Sequence, residues 1–245
     1  MPHFFINSKQ IIDNKLTISD KENFTHIAKS LRAKIDEKFL FIDENKIQHE
    51  TIIKNITKQE IFFLITNSYP SNKFLEFNLC LAQTPLRSDA QNTIIEKATE
   101  LGVNIIYPIQ SDNCALAKNI IDKKIERWQR IMLEASKQCE RADIPECKTL
   151  TSLEKLLNNN KFDKIIAFCE RKSELNLKKY LNLNPIKKGE NILAIIGPEG
   201  GFSQKEFDFF ITNKIPMISL GELILKAETA AIVALGNIVY EYNNK

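Results

Sequence analysis

The chain has 245 residues, 43% hydrophobic and 27% charged, enough to bury one or two cores and too long for a peptide-sized module. Its 34 basic and 31 acidic side chains leave a net charge of +3. That excludes a polycationic tail protein and confines any contact with phosphates to local patches. Only 7 Gly and 8 Pro also exclude a collagenous or low-complexity chain.

Residues 1–73 alternate short β-rich runs with polar breaks: HFFI at 3–6, KFLFID at 38–43, KIQHETIIKNI at 46–56 and EIFFLITNSY at 60–69. The pattern predicts a small β-barrel. One helix interrupts it, with Ser19 or Asp20 as N-cap and an apolar stripe through Phe24, Ile27 and Leu31. Pro70, Ser71 and Asn72 mark a linker into a second domain spanning 74–245.

From residue 74 strands alternate with helices. FLEFNLCLA (74–82), VNIIYPI (103–109), DKIIAFCE (163–170), NILAIIG (191–197) and PMISLG (216–221) are nearly continuous apolar runs. Such runs predict an α/β domain with a parallel sheet covered by helices on both faces. Ser88 or Asp89 opens a helix that Gly102 stops. The spacing predicts one long helix over 120–142, with Ile121, Ile125, Trp128, Met132, Ala135 and Cys139 on one face. Lys123, Arg127, Arg130, Lys137 and Arg141 step along another face, either as a solvated surface or as an RNA-binding stripe. Ser203 and Glu206 read as a capping box, and a last helix runs from about Ala227 to Tyr242.

Five cysteines, Cys80, Cys114, Cys139, Cys147 and Cys169, are odd in number and never spaced C-x-x-C. They read as reduced thiols in a cytoplasmic protein, not as a disulfide scaffold or a metal site. No run approaches the ~18–20 apolar residues of a membrane span, so no membrane partner is expected. His3, His26 and His49 all lie in the first domain and read as surface or structurally satisfied side chains.

Two segments carry chemistry. GPEGGF (197–202) is a glycine-rich turn leaving the carboxyl end of a buried strand, the place where open α/β sheets bind ligands. Its glycines can offer backbone amides without side-chain obstruction, or simply make a tight turn. It matches neither G-x-G-x-x-G nor a phosphate-binding P-loop. In ISLGELILKAETAAIVAL (218–235) a strand breaks at Gly221, and the apolar Leu223, Ile224 and Leu225 precede a small-residue helix. Such a loop needs cover from neighbouring protein or from a flat ligand such as adenine.

Five collinear stretches, HIAKSLR (26–32), IIEKATELGV (94–103), SKQCERADIPE (136–146), IGPEGGFSQKE (196–206) and SLGELILKAETA (219–230), make the chain resemble a known family. It is similar to the SPOUT, or trefoil-knot, RNA methyltransferases, specifically the bacterial small-subunit ribosomal RNA uridine-N3 methyltransferases with a PUA-like N-terminal domain. The resemblance implies a knotted C-terminal domain, S-adenosyl-L-methionine as cofactor, a homodimer, and 16S rRNA or the small ribosomal subunit as partner.

Carried over residue by residue, it implies a first cofactor loop of Gly197, Pro198, Glu199, Gly200 and Gly201. Leu220, Gly221, Leu223, Ile224 and Leu225 form the adenine-side loop, with Cys169 and Glu170 at a neighbouring strand end. It puts His26 and Arg32 within the RNA-contacting region, to which the helix stripe adds Arg127 and Arg130. Arg87, Lys226 and, from the facing protomer, Arg141 are the expected stabilisers of a uridine anion, with Glu228 orienting Lys226 or capping its helix. The chain has Leu223 and Asn113 where the family usually has arginine. Two alternatives therefore stand beside the leading one: a related methyltransferase acting on a different RNA or base, and a catalytically silent RNA-binding or ribosome-assembly factor.

Overall fold

A computed structural model describes residues 3–170, 173 and 175–243. The chain divides into two compact units, Met1–Phe74 with Ser136–Asp143, and Leu75–Ala135 with Ile144–Lys245.

The first unit is built on strands β1 (His3–Phe5), β2 (Ile11–Ile12), β3 (Lys15–Ile18), β4 (Lys38–Ile42), β5 (Ile47–Ile56) and β6 (Ile61–Pro70). They form one sheet in the order β1-β4-β5-β6-β3-β2. Strands β1 and β4 pair in parallel; the other pairs are antiparallel. Phe4, Leu16, Phe39, Phe41, Ile53 and Phe63 fill its core, with Phe41 and Phe63 edge-to-face at 4.9 Å. Among the described residues β1 and β2 remain the two edges, so the sheet is barrel-like and open. The β2–β3 hairpin is an addition to that pattern. Its signal is the pair Asp13–Asn14, both at positive φ (48° and 60°), as a two-residue hairpin turn requires.

The helix in this unit also differs from expectation. Asp20 caps α1 (Lys21–Phe24), its side chain accepting from the Asn23 N–H, but Thr25–Ser30 continues as a π-helical turn. There the Leu31 N–H donates to the His26 carbonyl, five residues back. The wider turn rotates Leu31 off the apolar stripe, leaving it 42% exposed while Ile27 stays buried.

In the second unit the strands are β7 (Asn78–Gln83), β8 (Ile105–Gln110), β9 (Glu146–Cys147), β10 (Thr151–Ser152), β11 (Lys164–Phe168), β12 (Leu175–Asn176), β13 (Asn191–Ile196) and β14 (Met217–Ser219). Their order is β10-β8-β7-β13-β11-β14-β12, with β9 beside β8. Every pairing is parallel. The helices are α2 (Ser88–Glu100), α3 (Lys118–Asp122), α4 (Ile125–Gln138), α5 (Leu153–Asn159), α6 (Leu177–Leu183), α7 (Gln204–Thr212) and α8 (Ala227–Asn243); the last turn of α4 groups with the first unit. Alternate residues of β7 enter two cores, Leu79 and Leu81 on one face and Cys80 and Ala82 on the other. This is why the strands read as unbroken apolar runs. The N-cap of α2 is Arg87, one residue before the earlier of the two expected caps.

The single helix expected over 120–142 is two helices that end at Gln138. Glu140 sits at φ 58°, a left-handed residue that cannot continue a helix. No helix among the described residues is long and apolar enough to cross a membrane.

Candidate active site at the carboxyl ends of the central strands

Strand β13 delivers Gly197 to the carboxyl edge of the sheet, where the Thr84 N–H donates to the Ile196 carbonyl at 3.1 Å. Gly197 is buried, and a Cβ built on it would lie 3.0 Å from the Phe202 ring. A side chain at this position would push on that ring. The chain then folds into a tight turn, the Gly201 N–H donating to the Pro198 carbonyl at 2.9 Å. Gly201 has φ 72°, the left-handed region that glycine enters at least cost. Ser203 ends the turn as N-cap of α7 in the expected capping box. Its backbone N–H donates to Glu206 Oε2 at 2.7 Å, and its Oγ accepts from the Glu206 N–H at 3.2 Å.

The second loop leaves β14. The Ser219 hydroxyl donates to the Gly221 carbonyl at 2.7 Å and accepts from the Gly221 N–H at 3.1 Å, bending the chain out of the sheet. Leu223 and Ile224 follow, 81% and 64% exposed. Glu170, just past β11, accepts from the Leu225 N–H at 2.7 Å. That bond fixes the loop where it enters α8.

Between the two loops lies a cavity of about 650 Å³, within the ~300–1,000 Å³ of small-molecule sites. All twelve residues expected to hold a cofactor line it, as do Lys226 and Glu228. Phe168, Phe202, Phe207 and Ile218 also line it; Phe202 and Ile218 lie within the two segments already singled out, and Phe168 and Phe207 are the residues that no motif marks. Burial pushes the Cys169 thiol up to about 12, so at neutral pH it is an uncharged packing group and not a nucleophile.

The remaining expected residues are dispersed. Arg87 is exposed at the start of α2 and outside the cavity lining. Arg127 and Arg130 are exposed on α4 opposite the buried Trp128 and Met132. Arg32 is exposed at φ 53°. His26 is half-buried, its ring edge-on to Phe4 at 5.2 Å. Arg141, expected to act from a facing protomer, is 6% exposed within its own chain. Its Nη2 and Nε donate to Asp143 Oδ1 at 2.8 and 3.1 Å. The guanidinium is thus ion-paired within its own unit. Ala231 and Ala234 of α8 are packed in the core of their own unit.

Comparison with known proteins places the chain in a family. The sequence profile of the RNA methyltransferase domain matches residues 73–239, which contain the whole cavity lining. The chain belongs to this RNA methyltransferase family. The methyltransferase is 34% identical to the ribosomal RNA small subunit methyltransferase E of Mesomycoplasma hyopneumoniae (strain 232), covering 96% of this chain and 97% of that one. To the protein of the same name from Bacillus subtilis (strain 168) it is 27% identical, over 98% and 97% of the two chains.

Among solved structures, one described as a hypothetical protein superposes with a TM-score of 0.87 at 25% identity, covering 99% of each chain. The ribosomal RNA small subunit methyltransferase E of Neisseria gonorrhoeae, bound to S-adenosyl methionine, gives a TM-score of 0.82 at 22% identity, over 97% and 96% of the chains. The methyltransferase therefore shares their fold from end to end.

Proposed function

We propose that this enzyme transfers a methyl group from S-adenosylmethionine to N3 of a uridine in the 16S rRNA of the small ribosomal subunit. The observation that carries the reading is the cavity walled by two backbone-rich loops, with a lysine and a glutamate at its edge. The residues present fit this cofactor. The Gly197–Gly201 turn lines the cavity with backbone, and a Cβ at Gly197 would crowd the Phe202 ring at 3.0 Å. The exposed Leu223 and Ile224 supply apolar area that a flat base would cover.

When bound, S-adenosylmethionine supplies a methyl group already electrophilic at its sulfonium. The chain's task is positioning and electrostatics. The amides of the first loop and the backbone from Leu220 to Leu225 orient the ligand, while Phe168, Phe202 and Phe207 keep water from the wall. Lys226 places a positive charge at the cavity edge, where it favours the deprotonated uridine N3. Glu228, in the first turn of α8, lies at the favourable end of the helix dipole and orients that lysine. Arg87 is the second cation of the proposal and approaches from the start of α2.

N3 lies on the Watson–Crick edge, so the target base must be unpaired or flipped out. RNA is held through Arg32 on the first unit and Arg127 and Arg130 on the second. The homodimer implied by the family resemblance belongs to the same proposal, and light scattering at dilute concentration tests it.

The deciding experiment incubates the enzyme and labelled cofactor with small subunits lacking the modification. The expected product blocks reverse transcription and is N3-methyluridine by nucleoside mass spectrometry. A methylated ribose, a carbon-methylated base without a stop, or cofactor binding with no transfer would reject the assignment.

A further inference from the structure

We infer that Asp112 and Asn113 are positioning residues that hold the glycine loop in its ligand-ready shape. The inference rests on the cofactor reading above and adds a part of the site that neither loop contains. Just beyond β8, the Cys114 N–H donates to the Ser111 carbonyl at 3.1 Å, closing a four-residue turn with Asp112 and Asn113 at its centre. Cys114 anchors the turn from below, its Sγ lying 3.7 Å from the Pro85 carbonyl. Both central side chains then reach the glycine loop, 88 and 91 positions further along the chain. Asn113 Nδ2 donates to the Gly201 carbonyl at 2.9 Å. Asp112 Oδ2 accepts from the Ser203 hydroxyl at 2.6 Å.

Packing reinforces the two bonds: a Cβ built on Gly200 would lie 3.3 Å from Asn113 Cβ, so Asn113 sits directly over the glycine. The clasp therefore grips three places, Gly200 by packing, Gly201 through its carbonyl and Ser203 through its side chain. Ser203 is also the N-cap of α7, which couples the loop to the helix behind it. Without the clasp, the Gly201 N–H still reaches the Pro198 carbonyl and Gln83 Nε2 the Gly197 carbonyl at 3.4 Å, but no side chain holds the Gly201 carbonyl. The Asn113 side chain thus works on the protein's own backbone.

The test separates the clasp from the cofactor reading. In ligand-free protein, hydrogen exchange of peptides covering 197–206 is compared for the wild type, Asn113→Ala, Asp112→Ala and Asp112→Asn. Faster exchange confined to that segment is expected in the two alanine variants. Asp112→Asn keeps an acceptor oxygen and is expected to restore protection. Calorimetry with S-adenosylmethionine is expected to show binding weakened about 2–12-fold in Asn113→Ala, the range set by removing one hydrogen bond. KM for the cofactor should rise with kcat at saturating cofactor retained. Unchanged exchange and affinity in folded variants would overturn the inference. Exchange that rises throughout the unit, with a lowered Tm and wild-type affinity in the folded fraction, would also overturn it, because the turn would then serve stability alone. Wild-type protein that binds no S-adenosylmethionine would overturn the cofactor reading, and the ligand-free exchange would still decide whether the clasp exists.

Discussion

Gly197→Ala adds one methyl group at a place where the structure states what it meets: the Cε2 and Cζ atoms of Phe202 at 3.0 Å and Cε1 at 3.2 Å. The ring cannot step aside freely, because it is packed edge-to-face on Phe210 at 5.0 Å and on Phe207 at 6.1 Å. Overpacking of this kind costs about 1–3 kcal/mol. At about 2–4 °C per kcal/mol for a domain of this size, Tm of the second unit should fall by roughly 2–12 °C. Since Phe202 lines the cavity, affinity for S-adenosylmethionine should fall with it. Two other glycines calibrate the result. Gly201→Ala meets nothing within 4 Å but is held at φ 72°, so its cost should be only the ~1–2 kcal/mol of a left-handed alanine. Gly236→Ala, inside α8 with open space around it, should gain up to ~1 kcal/mol of helix propensity and leave affinity alone. Differential scanning calorimetry and titration calorimetry on the three variants measure both quantities. Wild-type stability and affinity in Gly197→Ala, or equal damage from Gly236→Ala, would refute the close-approach argument.

Replacing Arg127 and Arg130 with Gln should weaken RNA binding and flatten its salt dependence by about 0.7–0.9 in log–log slope for each phosphate no longer neutralised; an unchanged slope would return the stripe to a solvated face. Burial holds the His3 imidazole below its ordinary value of 6.5, with Glu140 opposing the shift. The unfolded chain therefore takes up a proton that the folded one resists. The resulting stability is present above about pH 6.5 and is lost as pH falls through the lower folded value. His3→Leu should flatten that part of the acid denaturation profile of the first unit, and an identical profile in the variant would remove His3 as its source.

The two loops are legible in sequence because their chemistry is local. A glycine run after a buried apolar strand, and an apolar run after Gly221, mark strand ends wherever they occur, and the family resemblance names their residues. The parallel sheet is equally legible, since strands buried on both faces have no polar alternation to misread. Arg141 misleads for the opposite reason. Its basic spacing continues the helical stripe, but the left-handed Glu140 ends the helix before it, and Asp143, two residues on, engages its guanidinium. The clasp is invisible in sequence because Asp112 and Asn113 act across a separation that no periodicity reports; compared by position alone, Asn113 only marks an absent arginine. Leu31 shows the limit of pattern reading on a short helix, where one π-turn is enough to move a residue from the core to the surface.

The return of Ser136–Asp143 to the first unit has a consequence during synthesis. Lys46 waits for Asp143, its partner at 3.0 Å, and Lys73 for Glu140. Glu22 waits for Lys137 at 3.4 Å, and the Lys73 carbonyl for the Ala142 N–H at 3.2 Å. None of these bonds can form when residue 74 leaves the ribosome. At ~5–20 residues per second the delay until residue 143 is on the order of 3–14 s. Through that interval the N-terminal sheet exists without its closing segment, and β7, β8 and α2 are already in the growing chain. A fragment ending at residue 74 would preserve that unfinished state permanently, so a stable excised N-terminal unit must carry the 136–143 segment as well, supplied in trans or grafted by a linker.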